Sequence, residues 1–308
     1  FTLFQETSCK MALKTLQDQK DAEMVFYLYI TDDENCLVGI ASLRALATTS
    51  PNTPLKDIMV RQIHSVRPET DQEEVAQIVA QYNYLAVPVL DLQNHLLGIV
   101  TVDDVVDVIR EEATEDFLKM AGAGEDREIL LKSSWENAKA RIPWLFASWI
   151  GGVLAATIIG YFEHMLTSII ALAAFIPVII GMGGNIGTQS STIIVRGIAT
   201  GRIKFGNELK VLIKEIQVGF ILGILYGFLL GLFANYNFIQ ADPFLGVVVG
   251  LSICCSMVIA AAVGAFTPLI LRKLDIDPAI ATGPFVTTSV DILGVLLYFM
   301  IAGKFLNM

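Results

Sequence analysis

Residues 279–302 read AIATGPFVTTSVDILGVLLYFMIA, an apolar run in which Asp291 is the single charged residue. A hydrocarbon layer about 30 Å thick is crossed by a helix of about 20 apolar residues, so this run is long enough to span a membrane. Four earlier runs have similar length and composition, at residues 142–162, 167–199, 211–233 and 244–271. Because a buried helix of a soluble protein rarely extends so far without a charge, we predict five transmembrane helices rather than a large soluble core.

The basic residues of this half predict how the helices are oriented. They concentrate around two of the four connections. Arg196, Arg202, Lys204, Lys210 and Lys214 lie around the connection between the second and third runs, and Arg272 and Lys273 follow the fourth run. The other two loops, at residues 163–167 and 235–243, contain no Lys or Arg. Cytoplasmic loops carry an excess of these residues, so we expect residues 1–141 in the cytoplasm and the C-terminus outside.

The charge of the chain is unevenly distributed over its 308 residues. The mean hydropathy of +0.60 is too high for an ordinary soluble protein, and the formal net charge of −10 argues against a nucleic-acid binder. Residues 1–141 hold 24 acidic and 13 basic side chains, a net charge of −11, which leaves +1 for the rest. Nothing resembles a phosphate loop, a catalytic triad or a redox motif, and we expect no enzymatic activity.

The first half contains an internal repeat. A shift of 59 residues places LVGIAS at residues 37–42 on LLGIVT at residues 96–101, and Asp32 on Asp91. Each copy reads helix, strand, turn, strand, helix, with predicted helices at 9–19 and 72–81 and predicted strands at 27–30 and 85–90. Two small α/β modules follow from this, at about residues 1–60 and 61–120.

These modules are similar to a tandem of cystathionine-β-synthase-type (CBS) domains, which bind adenine nucleotides or metal ions. The nucleotide signature of that family stands here as Gly98, Thr101 and Asp104. A hydroxyl and a carboxylate one helical turn apart can hold phosphate and ribose oxygens, although Thr101 could equally be a simple helix cap. The first module has Ala45 in place of the carboxylate, so we expect at most one good nucleotide site per tandem.

An acidic run, DDVVDVIREEATED, occupies residues 103–116 with Arg110 as its single basic residue. On a helix, Asp104, Asp107 and Glu111 share one face. Like charges at this spacing repel, and hard oxygen ligands suit Mg²⁺ or Ca²⁺, so the run is either a cation-dependent element or a solvated surface. It precedes a predicted connecting, plug-like helix at residues 121–141 that leads into the first span.

Asp291 is expected to be the only acidic residue deep in an apolar run, and a carboxylate at such a position usually marks an ion path. Thr287 and its two neighbouring hydroxyl residues surround it with oxygen atoms, and Pro284 frees backbone carbonyls. The second run contains GMGGNIGTQS at residues 181–190, which combines glycines with Asn185, Thr188 and Gln189. The alternatives are an interhelical hydrogen bond at Asp291 and a close-packed glycine interface in the second run.

Taken in order, these motifs resemble the MgtE family of magnesium channels. The resemblance rests on the CBS tandem, on residues 101–108 and 112–116, on the glycine signature at 183–189, on Asp277-Pro278-Ala279 and on residues 284–291. It implies an α-helical membrane protein, with five transmembrane helices behind a cytoplasmic CBS tandem, that forms a homodimer with an Mg²⁺ pore on the two-fold axis. The second and fifth helices would line this pore.

The resemblance also implies roles for individual residues. The pore set is Asp291, Thr287, Gly283, Thr188, Asn185 and Gln189. The metal-binding set consists of Asp291 together with Asp71, Ala80, Asp104, Asp107, Glu112, Glu115 and Asp116. Binding of cytoplasmic Mg²⁺ to the residues other than Asp291 would close the pore. The set for bound ATP is Tyr27, Arg44, Tyr84, Gly98, Thr101 and Asp104.

Several positions depart from the family pattern. Thr188 and Gly283 stand where relatives usually carry asparagine, which leaves Mn²⁺ or Co²⁺ as alternative cargo, and Asn83 stands where an aspartate is common. The acidic N-terminal domain of the family is expected to be missing from this sequence, either removed or never present. A third hypothesis, a nucleotide sensor with a membrane anchor, leaves Asp291 without a role.

Overall fold

The protein is described by a computed structural model over residues 2–18, 26–124, 129–203, 206–238 and 240–306. The chain forms two compact units, Phe1–Glu112 and Ala113–Met308. Lys204 and residues 125–128 of the predicted connecting helix lie outside the described residues.

In the part of the chain that the structure describes, the first unit contains two small sheets, each flanked by helices. Its elements are β1 (Thr2–Phe4), α1 (Cys9–Asp18), β2 (Tyr27–Thr31), β3 (Leu37–Ser42), α2 (Leu43–Thr48), α3 (Gln72–Tyr82), β4 (Ala86–Leu90), β5 (Leu96–Thr101) and the start of α4 (Val102–Met120). Strand β2 pairs in parallel with β1 and antiparallel with β3, and β4 pairs antiparallel with β5. Each sheet has its own apolar core, around Leu28 and Ile30 in one and around Val79 and Val87 in the other.

The internal repeat has a physical cause in the two hairpin turns. The Asp32 carboxylate accepts hydrogen bonds from the backbone N–H groups of residues 34 and 36, and Asp91 does the same for residues 93 and 95. Asn35 and Asn94 adopt left-handed backbone conformations, with φ of 63° and 66°, which asparagine tolerates better than most residues. The aligned aspartates therefore mark the same turn in each copy.

The second unit is helical. After the end of α4 it contains α5 (Ser134–Tyr161), α6 (Glu163–Ser168), α7 (Ala171–Ala199), α8 (Glu208–Phe238), α9 (Leu245–Lys273) and α10 (Pro284–Phe305). Five of these helices, all except α4 and α6, are long and apolar enough to cross a membrane, as predicted. Helices α7, α9 and α10 supply most of the buried core, whereas α5 and α8 bury smaller shares of their surface.

The helix ends differ from the sequence-based bounds for local reasons. Helix α5 begins eight residues before the predicted span, because Ser133 and Glu136 form a capping box that starts it there. Helix α10 begins at Pro284 rather than near residue 279, since proline fits the first turn of a helix. Residues Pro278–Ala281 form a separate 3₁₀ helix capped by the Asp277 side chain, hereafter the 278–281 turn.

Helices α8 and α9 are held together by glycines. Gly219, Gly223, Gly227 and Gly231 recur at every fourth position on one face of α8. A Cβ atom at Gly223 would lie 2.9 Å from the carbonyl oxygen of Cys254, and one at Gly231 would lie 2.8 Å from that of Gly246. Small residues are typical of close helix contacts in lipid, where packing replaces the hydrophobic effect as the driving force.

Candidate ion path and its charged surroundings

Asp291 lies half-buried in α10 beside the glycine signature of α7. A Cβ atom at Gly184 would be 3.7 Å from the Asp291 Oδ1 atom, so the absence of a side chain there leaves room next to the carboxylate. Within the described ranges, no group donates a hydrogen bond to this carboxylate or forms an ion pair with it. The interhelical hydrogen bond that would make it a purely structural residue is therefore not found in the described part of the chain.

The neighbouring polar residues present oxygen atoms. The Thr287 hydroxyl donates to the carbonyl of Pro284 at 3.2 Å, and the Thr188 hydroxyl donates to the carbonyl of Gly184 at 2.9 Å. Because their protons are used locally, these hydroxyls keep lone pairs that can face a cation or its water shell. Asn185 and Gln189 are exposed and lie four residues apart on one face of α7.

One membrane carboxylate escaped the sequence analysis. Glu215 is buried in α8, with 6% of its surface exposed, and it accepts a hydrogen bond of 2.8 Å from the Ser190 hydroxyl on α7. The expectation that Asp291 is the only acidic residue inside an apolar run is therefore wrong. Glu215 lies directly after Lys214 and close to Lys210, so its sequence context is typical of a charged segment at the end of a loop. The adjacent Ser191 donates to the buried Thr282 hydroxyl at 3.0 Å.

Replacing Glu215 by Ala is expected to lower the free energy of unfolding by about 1–3 kcal/mol, because the buried Ser190 hydroxyl loses its acceptor. Glu215→Gln keeps an oxygen that can accept this bond and should cost less. Thermal unfolding of the purified protein in detergent measures both variants, with Glu163→Ala as a control at an exposed position. Equal losses for the Gln and Ala variants would contradict the role of this hydrogen bond.

Lys119 is a second residue that the sequence analysis did not single out. It lies buried near the end of α4, with its ammonium 2.7 Å from Glu115 and 2.5 Å from Asp277. Burial by itself lowers the pKa of this ammonium, but the hydrogen bonds to Asp277 and Glu115 outweigh burial and raise the pKa above its usual range. Lys119 is therefore charged at physiological pH.

The other predicted metal-binding residues are engaged locally or exposed. Asp71 caps α3 by accepting from the backbone N–H of Glu73 at 2.8 Å, and Glu112 accepts from the Gln72 side chain. Asp107 lies 3.8 Å from Arg110, and Ala80 is exposed on α3. No group of three or more His, Cys, Asp or Glu side chains comes together to hold a metal ion in the portion of the chain that the structure describes.

The candidate nucleotide residues belong to the first unit. The Thr101 hydroxyl donates to the Asp104 carboxylate at 2.6 Å, so this pair is brought together. The Tyr27 hydroxyl accepts from the backbone N–H of Leu85 at 3.4 Å, directly beside Tyr84 in the sequence. A side chain at Gly98 would meet open space, and Arg44 is exposed on α2.

Two regions of the chain match known family models. Residues 176–301, which include α10 up to Ile301 and most of α7, match the family model MgtE, described as a divalent cation transporter. Residues 176–301 are thus the part of the chain that is similar to this family. Residues 55–111 match the CBS domain model. The MgtE match includes Asp291, Glu215 and the glycine signature, and the CBS match includes Thr101 and Asp104.

Curated MgtE proteins are similar over most of this chain. The magnesium transporter MgtE of Enterococcus faecalis is 38% identical over 97% of this chain and 65% of its own length. That of Thermus thermophilus is 39% identical over 92% of this chain and 62% of its own length. The chain thus spans slightly less than two thirds of these relatives. A crystal structure of the cytosolic domain of the Mg²⁺ channel MgtE in complex with ATP is 40% identical over 35% of this chain and 44% of its own, with a TM-score of 0.34.

Proposed function

We propose that the protein conducts Mg²⁺ across a membrane along a path lined by α7 and α10. The observation that carries this proposal is the Asp291 carboxylate, which has no partner among the described residues and faces the gap at Gly184. An uncompensated carboxylate in a membrane helix is costly unless it serves a cation. Mg²⁺ loses its water shell reluctantly, and hydroxyl and carbonyl oxygens around Asp291 suit a hydrated ion.

The path is completed in a homodimer whose two-fold axis passes between the α7 and α10 helices of both copies. Asn185 and Gln189 are exposed on α7 although they lie within an apolar membrane helix. Polar side chains facing lipid are unfavourable, whereas the same side chains facing a water-filled path between two copies are solvated. Two copies would also bring two Asp291 carboxylates to one cation.

Gating by cytoplasmic Mg²⁺ would use carboxylates of α4 together with Asp71 and Ala80 at α3. The cation would bind among Asp71, Ala80, Asp104, Asp107, Glu112, Glu115 and Asp116 and close the path, and its loss would let the acidic side chains repel one another. The Lys and Arg alternation between the loops supports a cytoplasmic location for this part, with the C-terminus outside a prokaryotic plasma membrane. ATP would modulate the response through the Thr101–Asp104 pair and through Tyr84 as the stacking surface.

A second divalent ion is the alternative cargo. Thr188 uses its hydroxyl proton on Gly184, and Gly283 offers no side chain, so neither supplies the asparagine amide oxygen that the family resemblance leads us to expect there. With fewer fixed ligands, the path would discriminate less strictly against Mn²⁺ or Co²⁺.

Flux of Mg²⁺ into liposomes containing the purified full chain tests the proposal. We expect uptake that falls as Mg²⁺ on the α4 side rises, and a shift of this dependence when ATP is added. Competition by Mn²⁺ and Co²⁺ reports the selectivity, and liposomes without protein give the background. Absence of flux at every Mg²⁺ concentration would contradict the proposal and favour a membrane-anchored sensor.

A further inference from the structure

The Lys119 side chain connects two elements that are far apart in the sequence. Its ammonium joins Glu115, one turn earlier on α4, to Asp277, which precedes the 278–281 turn. All three groups lie in the second unit, and Lys119 keeps only 11% of its side chain exposed. An ion pair this sheltered is screened by salt much less than one on the surface.

Asp277 uses both carboxylate oxygens. Its Oδ1 atom accepts from the backbone N–H of Ala279 at 2.8 Å and so caps the 278–281 turn, while its Oδ2 atom accepts from Lys119. The turn is followed by Thr282 and Gly283 and then by Pro284, where α10 begins. The ion pair between Lys119 and Asp277 therefore lies close to the first residue of α10, the helix that carries Asp291.

The end of α4 also touches this helix start directly. A Cβ atom at Gly283 would lie 3.3 Å from the carbonyl oxygen of Met120 and 3.6 Å from that of Lys119. At Gly122, where φ is +65°, an added Cβ would lie 3.4 Å from the Pro284 ring. The backbone of α4 therefore packs against the start of α10 without intervening side chains.

We infer that Lys119 is a positioning residue of the ion path, which holds the end of the acidic helix α4 against the start of α10 and so transmits cation binding on α4 to the helix of Asp291. This inference rests on the proposed function for its effect on flux. Without the ammonium, Glu115 and Asp277 face each other as like charges, and the contact between α4 and α10 weakens. In a competing role, the ammonium occupies a place that Mg²⁺ would otherwise take. Removing the ammonium would then cause inhibition at lower Mg²⁺ rather than at higher Mg²⁺.

The test compares Lys119→Met with the unmodified chain in liposomes, with Mg²⁺ varied on the α4 side. We expect the concentration for half-inhibition to rise about tenfold, within the range of about 5- to 150-fold typical of coupling between sites, while maximal flux stays within about twofold. Lys119→Arg should restore the response, because a guanidinium can reach both carboxylates. Asp277→Asn keeps the capping oxygen and should act in the same direction as Lys119→Met.

Hydrogen exchange of the purified full chain gives a readout that needs no flux. Lys119→Met should increase exchange at residues 116–122 and 278–286, whereas Lys139→Met, which removes the same charge from an exposed position on α5, should not. Unchanged Mg²⁺ dependence in a conducting protein, or inhibition at lower Mg²⁺, would overturn the inference. If the unmodified chain conducts no Mg²⁺, the proposed function fails, and unchanged exchange would then overturn the contact role as well.

Discussion

Replacing Asp291 by Asn is expected to reduce Mg²⁺ flux by about two orders of magnitude. The substitution keeps the size of the side chain and removes its charge. At an effective dielectric constant of about 20, the attraction between a unit charge and a monovalent ion about 4 Å away is about 4 kcal/mol. The attraction is larger for a divalent ion, but water in the path screens part of it. The remaining hydroxyl and carbonyl oxygens are neutral and cannot replace the lost attraction.

Asp291→Glu is the matched control, since it keeps the charge and moves it by one methylene. We expect it to retain a measurable share of the flux that Asp291→Asn loses. Uptake is measured in cells without other Mg²⁺ importers and in liposomes, with protein amounts equalised. Undiminished flux through the Asn variant would show that the charge is not required, and would remove the main support for the proposed path.

Replacing Gly264 by Ala is expected to lower the free energy of unfolding more than replacing Glu215 by Ala does. An added Cβ atom would overlap the carbonyl oxygen of Gly187 on α7 and approach the Gly187 Cα atom to 3.0 Å. Backbone atoms cannot rotate away as a side chain can, so α7 and α9 must separate. Overpacking of this kind costs about 1–3 kcal/mol and occasionally more. A Cβ atom at Gly187 would lie 3.2 Å from the side chains of Val286 and Val290 on α10, so this part of α7 packs closely against α10 and the ion path should be disturbed too.

Gly181→Ala provides the control on α7, because an added Cβ there meets no atom within 4 Å. Alanine is favoured over glycine inside a helix by up to about 1 kcal/mol, so this variant should be neutral or slightly stabilised. Unfolding in detergent by heat compares the two variants. Equal melting temperatures for both would contradict the close contact between α7 and α9.

The sequence predicted the features that depend on local patterns. Five apolar runs predicted five helices, and the aspartates at 32 and 91 predicted a repeated hairpin whose hydrogen bonds the structure contains. Residues with local signals such as Thr101 and Asp104 were also found, because they lie one helical turn apart. In each of these cases, the physical cause acts over fewer than about 20 residues.

Features that depend on packing between distant segments were not predictable in this way. The contact between Lys119 and Asp277 joins residues 158 positions apart, and no periodicity marks it. Glu215 stood next to basic residues, and only the position of Ser190 on α7 shows that it is buried. Gly264 lies in an ordinary apolar run, and its importance follows from the approach of another helix backbone.

The glycine face of α8 restricts how its length can change in evolution. Because successive residues of a helix are offset by about 100°, the insertion of one residue before Gly219 would turn all four glycines away from α9. Bulky residues such as Leu222 and Tyr226, which directly precede Gly223 and Gly227, would rotate toward the α9 backbone. Length variation among related chains should therefore accumulate in the loops at either end of α8, with the glycine spacing left in phase.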